Sequence, residues 1–228
     1  MTSLQQKTVE EIEFAIMSGE LRPRQRLVES ELVERFKVGR TIVRESLRIL
    51  EDRGLVLIHS NKGASVVDFT ARDIRDVYFL RVKLESVVCM LAFHSLTAAH
   101  VNEMRQLQKR LKETNQTNRE LVTIHESFHD VIFRAADNEF LRRQIKRLIS
   151  LTGPIRYFSY THAERRRLTV NQHDEIIAAI EKGDKKKFVG LCLDHLSLSL
   201  EAHLQTFHPT EAQELIRGYR KALAQSSK

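Results

Sequence analysis

A chain of 228 residues with 42% hydrophobic side chains can bury a real core and has room for one large domain or two small ones. Only 8 Gly and 3 Pro point to long helices and away from turn-rich sandwiches and barrels. The net charge of +7 does not by itself indicate a nucleic-acid partner: residues 1–70 balance 11 basic against 11 acidic groups, and the excess lies in residues 71–228, with 26 against 19.

The first residues, Met1 to Gln6, are polar and do not resemble a signal peptide, and no apolar run is long enough to span a bilayer, so a cytoplasmic protein is expected with no membrane partner. Cys89 and Cys192 are far apart in sequence and sit in helical patterns, which argues against a disulfide framework. Residues 5–18 carry Val9, Ile12, Phe14 and Ile16 at amphipathic spacing and end at Gly19. Leu21 to Leu27 reads as a turn. A short helix then leads to a second turn at Lys37-Val38-Gly39 and to another helix reaching about Arg53, with Gly54 as its stop.

In that last helix Val43, Leu47 and Leu50 share one face, which leaves Arg40, Thr41, Arg44 and Arg48 on the other. Guanidinium groups at i, i+4 and i+8 beside a small hydroxyl suit a DNA major groove, where arginine forks onto guanine O6 and N7. Residues 35–62 hold seven basic and three acidic groups, the local patch that phosphate contacts need. Leu55–Ile58 and Ala64–Val67 are two short β runs joined by a polar turn. They form a wing whose tip residues, Asn61 and Lys62, can reach a neighbouring groove or the backbone. A solvated helix face and an ordinary polar hairpin are the plainer alternatives.

From Thr70-Ala71-Arg72-Asp73, which fits a capping box, the composition turns helical. Segments at about 72–94, 98–114, 118–136, 139–160, 163–182, 185–206 and 210–224 follow, with Gly153-Pro154 kinking one of them. The fold class expected is mainly α. An N-terminal winged helix-turn-helix of three helices plus a β-hairpin wing spans residues 1–70, and an all-α bundle of six to seven helices spans residues 71–228.

Ten histidines are many. His94, His100, His162, His203 and His208 read as surface or helix-end residues. His125 and His129 lie one turn apart on one face. His173 and His195 flank the turn at Lys182-Gly183-Asp184 at nearly equal distances, so an antiparallel hairpin returns them to one height. Two such pairs facing each other would bind a metal, and satisfied core histidines are the alternative. Arg81 lies in an apolar stretch and needs an anionic partner: either Glu85 one turn on or the carboxylate of a bound ligand.

Residues 21–67 resemble the DNA-binding domain of GntR-type bacterial transcription regulators. The resemblance rests on Leu21, Pro23, Leu27, Glu31-Leu32, Val38, Arg40-Thr41, Val43-Arg44-Glu45, Leu47, Leu50, Gly54-Leu55 and Asn61 to Val66. Arg24 stands at the usual turn glycine, Gly39 at the usual capping serine, Ile42 at the usual proline and Ser30 at a position often held by a base-contacting arginine. The helical part resembles the FCD effector-binding domain of the FadR subfamily, through His125-Glu126-Ser127-Phe128-His129, Gln172-His173-Asp174, Asp194-His195-Leu196 and the flanking Ala136 to Phe140. The resemblance implies that His129, His173 and His195 bind a divalent metal and that His125 stands at the family's aspartate ligand. A neutral imidazole there favours Zn or Ni over Mg or Mn.

The resulting expectation is a homodimeric transcription regulator, not an enzyme. It binds double-stranded operator DNA under the control of a small organic-acid effector held near Arg81 and the four histidines. A bundle that binds an acyl ligand without metal, a metal-dependent hydrolase and a nucleoid-type binder without sequence preference are the competing expectations.

Overall fold

The computed structural model describes residues 3–60 and 63–225, mainly helical with one small sheet. The chain divides into two compact units: Met1–Thr70 together with Ile149–Pro154, and Ala71–Leu148 with Ile155–Lys228.

In the first unit, helix α1 (Ser3–Met17) is followed by strand β1 (Arg26–Leu27), α2 (Glu29–Phe36), α3 (Arg40–Asp52), β2 (Val56–His59) and β3 (Gly63–Val66). Leu32 of α2, Val43, Leu47 and Leu50 of α3, and Val9 and Ile12 of α1 close one apolar core. Those α3 positions are the stripe read from the sequence, and burying it drives α3 onto α1 and α2. The turn between α2 and α3 is made by Lys37, whose left-handed backbone (φ 53°) lets its N–H reach Val33 O. Gly39 starts α3 with extended backbone and no side-chain cap, as expected where a capping hydroxyl is replaced by glycine. Gly54 (φ +81°) closes α3: its N–H bonds Glu51 O, and Leu55 N–H bonds Leu50 O.

The sheet order is β1-β3-β2, antiparallel throughout, with Leu57 opposite Ser65 and Arg26 also opposite Ser65 on the other edge. Strand β1 was expected as turn; two residues carry no periodicity, and only pairing with β3 makes them a strand. Arg24, at the position where the family has glycine, takes a left-handed backbone (φ 63°), and its side chain pairs with Asp68 at 2.6 Å.

The rest of the chain, which apart from Ile149–Pro154 forms the second unit, comprises α4 (Ala71–Ala92), α5 (Ala98–Lys112), α6 (Asn118–Ala135), α7 (Glu139–Leu151), α8 (Gly153–Thr161), α9 (Ala163–Glu181), α10 (Lys185–Phe207) and α11 (Pro209–Gln225). That is eight helices among the described residues, one more than the upper expectation. The stretch 139–160 is two helices because Gly153-Pro154 restarts the chain, with proline at the second position of α8 where no N–H is needed. Thr117 opens α6 through a reciprocal capping box with Glu120. Gly183 (φ +68°) and Asp184, whose carboxylate accepts from Lys187 N–H at 2.9 Å, turn α9 back into α10. Tyr78 and Val82 of α4, Leu196 and Leu200 of α10 and Tyr219 of α11 share a core. Cys89 and Cys192 are buried free thiols on α4 and α10.

Candidate functional site

Arg40, Thr41, Arg44 and Arg48 are all exposed on α3, opposite its buried stripe. Arg44 is engaged: its Nε–H lies 2.8 and 2.9 Å from the two Glu29 oxygens of α2, and that carboxylate holds the guanidinium pKa above its ordinary value. The pair is largely exposed and screened, so a phosphate or guanine edge can displace Glu29. Glu29 was not singled out from the sequence, since only the α2–α3 angle brings it to Arg44. Asn61 and Lys62 lie outside the described residues. The strands that lead to them are in place, with His59 Nε2 2.9 Å from Ser65 Oγ across the hairpin.

The four singled-out histidines converge inside the second unit. His125 and His129 come from α6, His173 from α9 and His195 from α10, and one ring nitrogen of each lies within 4.8 Å of those of the others. His125 Nε2 sits 3.0 Å from His129 Nε2 and 3.4 Å from His195 Nε2. Tetrahedral ligands about 2.1 Å from a zinc ion stand about 3.4 Å apart, so this spacing fits one ion. His173 is fully buried, with neither ring nitrogen hydrogen-bonded, and its ring stacks on Phe128 at 3.9 Å. An imidazole buried with both nitrogens unsatisfied costs free energy unless something else binds it, and a cation is the natural candidate. Burial, reinforced by the neighbouring imidazoles, lowers His125 and His173 well below the usual histidine range. Burial does the same to His129, helped by His195 and Arg81, and takes His195 down to about 4, helped by Arg81. All four are therefore neutral at pH 7, the form in which imidazole binds a metal.

Sequence reasoning placed Gln172 in the motif around His173 but gave it no role. Its Oε1 lies 2.9 Å from His195 Nδ1, so that nitrogen donates and Nε2 turns a lone pair to the cluster. It also missed the α8 wall: the Tyr160 ring packs tilted against His125 with centroids 4.5 Å apart, and buried Arg156, one turn earlier, pairs with Glu126 at 2.5 Å. Nothing in the local pattern marks α8 as lining the site. Arg81 is buried and bonded to Glu85 at 2.9–3.0 Å, with its guanidinium over the Tyr78 ring. The internal ion pair is thus formed, and Arg81 also stands close enough to depress His195. His203, expected at a surface or helix end, is instead buried on α10 against Phe207, because that face of the helix is covered.

A winged helix-turn-helix and a helical bundle holding four converging histidines are the architecture of a DNA-binding regulator with a second, helical domain. Residues 76–198, more than half of the chain, match the FCD domain, and residues 4–66 match the bacterial regulatory proteins of the gntR family. The chain belongs to the GntR family of transcription regulators and carries an FCD domain. The Nta operon transcriptional regulator of Aminobacter aminovorans is 29% identical over 203 residues, covering 89% of this chain and 91% of that one. The HTH-type transcriptional repressor RspR of Escherichia coli K12 is 25% identical, covering 86% and 81%. The E. coli McbR/YncC structure shares the fold with a TM-score of 0.78 at 21% identity, covering 91% of this chain and all of that one. A GntR regulator from Rhodococcus sp. RHA1 does so at 0.70 and 21%, covering 90% and 100%. These relatives are regulators, and the chain is a regulator rather than a hydrolase. Among the described residues no helix is long and apolar enough to cross a membrane.

Proposed function

We propose that this regulator reads a two-fold symmetric operator through Arg40, Thr41, Arg44 and Arg48. Its affinity is set by a small organic acid bound with a divalent metal, Zn or Ni, at His125, His129, His173 and His195. The observation that carries the reading is the convergence of four neutral imidazoles from three helices, with both ring nitrogens of His173 and Nδ1 of His125 buried without a partner. When bound, the ion supplies a Lewis-acidic position that accepts a carboxylate oxygen. Gln172 sets the tautomer of His195, Phe128 and Tyr160 exclude water from two sides, and Arg81 adds positive charge beside His129 and His195.

The protein works as a homodimer in the cytoplasm, where operator DNA is. Leu80, Val87 and Leu91 recur at helical spacing along α4 and stay exposed, as does Met90 beside them, which suits burial against a second copy. Two copies place one α3 in each half-site. Wing residues Asn61 and Lys62 add contacts beside the groove. Effector binding changes operator affinity through its differential affinity for two states of the bundle.

A thermal-shift screen of small carboxylic acids on full-length protein, with and without a chelator, tests the reading. Stabilisation by an acid that disappears on chelation supports it. Stabilisation that survives chelation favours a metal-free acyl pocket, and no effect of metal or acid in any arm contradicts it.

A further inference from the structure

The chain has two cysteines, Cys89 on α4 and Cys192 on α10, and both are free and buried. The packing of the two helices sets them side by side. Helix α10 runs antiparallel to α4. At one end Lys185 Nζ lies 2.9 Å from His94 Nε2, and the Phe93 and Phe188 rings pack with centroids 5.7 Å apart. At the other, Tyr78 and Val82 share a core with Leu196, Leu200 and Leu204. Cys89 lies one turn before Phe93 and Cys192 one turn after Phe188, so the two thiols meet across the seam. They are hydrogen-bonded to each other, and that bond together with burial pushes the Cys192 thiol well above its usual range. Each helix also carries a side chain named above: His195 lies one turn beyond Cys192 on α10, and Arg81 two turns before Cys89 on α4.

We propose that Cys89 and Cys192 are a redox latch: hydrogen peroxide converts them to a disulfide that ties α4 to α10. Cys192, 9% exposed against 2% for Cys89, meets the oxidant first. Its sulfur gives up its proton and attacks one peroxide oxygen. The O–O bond breaks, the sulfur is oxidised to a sulfenic acid, and the leaving hydroxide takes up the proton to become water. The Cys89 sulfur then attacks the sulfenic sulfur. The S–O bond breaks, and the disulfide closes as a second water leaves with the Cys89 proton. One peroxide is thus reduced to two waters, and two thiols are oxidised to one disulfide. A small uncharged oxidant suits so closed a seam, and the scarcity of thiolate at Cys192 makes the reaction slow, on the order of minutes to hours. The disulfide stops α4 and α10 from sliding or splaying apart. The inference rests on the reading above that two states of the bundle set operator affinity, and the disulfide holds the bundle in one of them.

The test treats full-length protein with hydrogen peroxide, with a chelator present to suppress metal-catalysed oxidation. Mass spectrometry is expected to show a single chain lighter by two hydrogens, with the Cys89 and Cys192 peptides joined, and dithiothreitol should restore both thiols. The cross-link should raise the thermal midpoint by several degrees. It should also change affinity for duplex DNA by about five-fold or more, the lower end of coupling between sites. Affinity is measured on the sequence that the native chain enriches from a random library or, if it enriches none, on the unselected pool. Cys89→Ser and Cys192→Ser should show neither change, and far-ultraviolet circular dichroism verifies that both variants fold. Cross-linking only between chains, or sulfinic acid in place of the disulfide, overturns the latch. If acid or metal shifts duplex affinity and the disulfide does not, the latch fails and the two-state reading stands. If none of the three shifts it, both fail.

Discussion

His203 shows what burial does to a single titratable side chain. Covered on α10 and facing His208, it is lowered to about 4. Its folded value lies below the ordinary value of about 6.5, so protons bind the unfolded chain first. Its contribution to stability is whole above pH 6.5 and is lost as pH falls from 6.5 toward 4, by up to about 3 kcal/mol. Urea unfolding of metal-free protein at pH 7 and pH 4.5 should show a larger acid loss in the native chain than in His203→Gln; equal losses would mean that His203 does not titrate in this window. Gln172 is the second informative residue. Gln172→Leu leaves His195 Nδ1 without its acceptor, so metal affinity should fall by about 10- to 100-fold while Gln172→Glu retains it. Competition with a chelator measures both, and an unaltered affinity in Gln172→Leu would show that the tautomer of His195 is fixed by something else.

At the scale of elements, regular period made the helices legible. The α3 stripe, the α6 histidine pair and the α9–α10 hairpin around Gly183 could be read because each depends on spacing within a few residues. What could not be read depends on contacts between elements. Strand β1 exists only through β3, Glu29 matters through Arg44 on the next helix, and Arg156 and Tyr160 matter because of a helix some thirty residues earlier, whereas the interruption at Gly153-Pro154 was legible and only its extent, a kink or a full restart, was not. Gly54 tests the element most directly. Its φ of +81° strains any residue with a Cβ, and Gly54→Ala should destabilise the first unit by about 1–2 kcal/mol, seen as a lower thermal midpoint. An unchanged midpoint would mean that the α3 terminus relaxes without cost.

At the scale of the molecule, residues 1–70 carry equal basic and acidic groups and the helical part carries the excess, so the proposed reading places recognition in where a few guanidinium groups stand rather than in net charge. Arg40 and Arg44 are exposed on α3. On the proposed reading their removal should change which sequence is chosen and leave folding alone, whereas a binder without sequence preference would lose affinity for all duplexes alike. Selection from a random duplex library, comparing the native protein with Arg40→Ala and Arg44→Ala, is the most direct test. The native chain is predicted to enrich one two-fold symmetric sequence and each variant to fail to enrich it. Enrichment of the same sequence by all three, or of none by the native chain, would contradict the account.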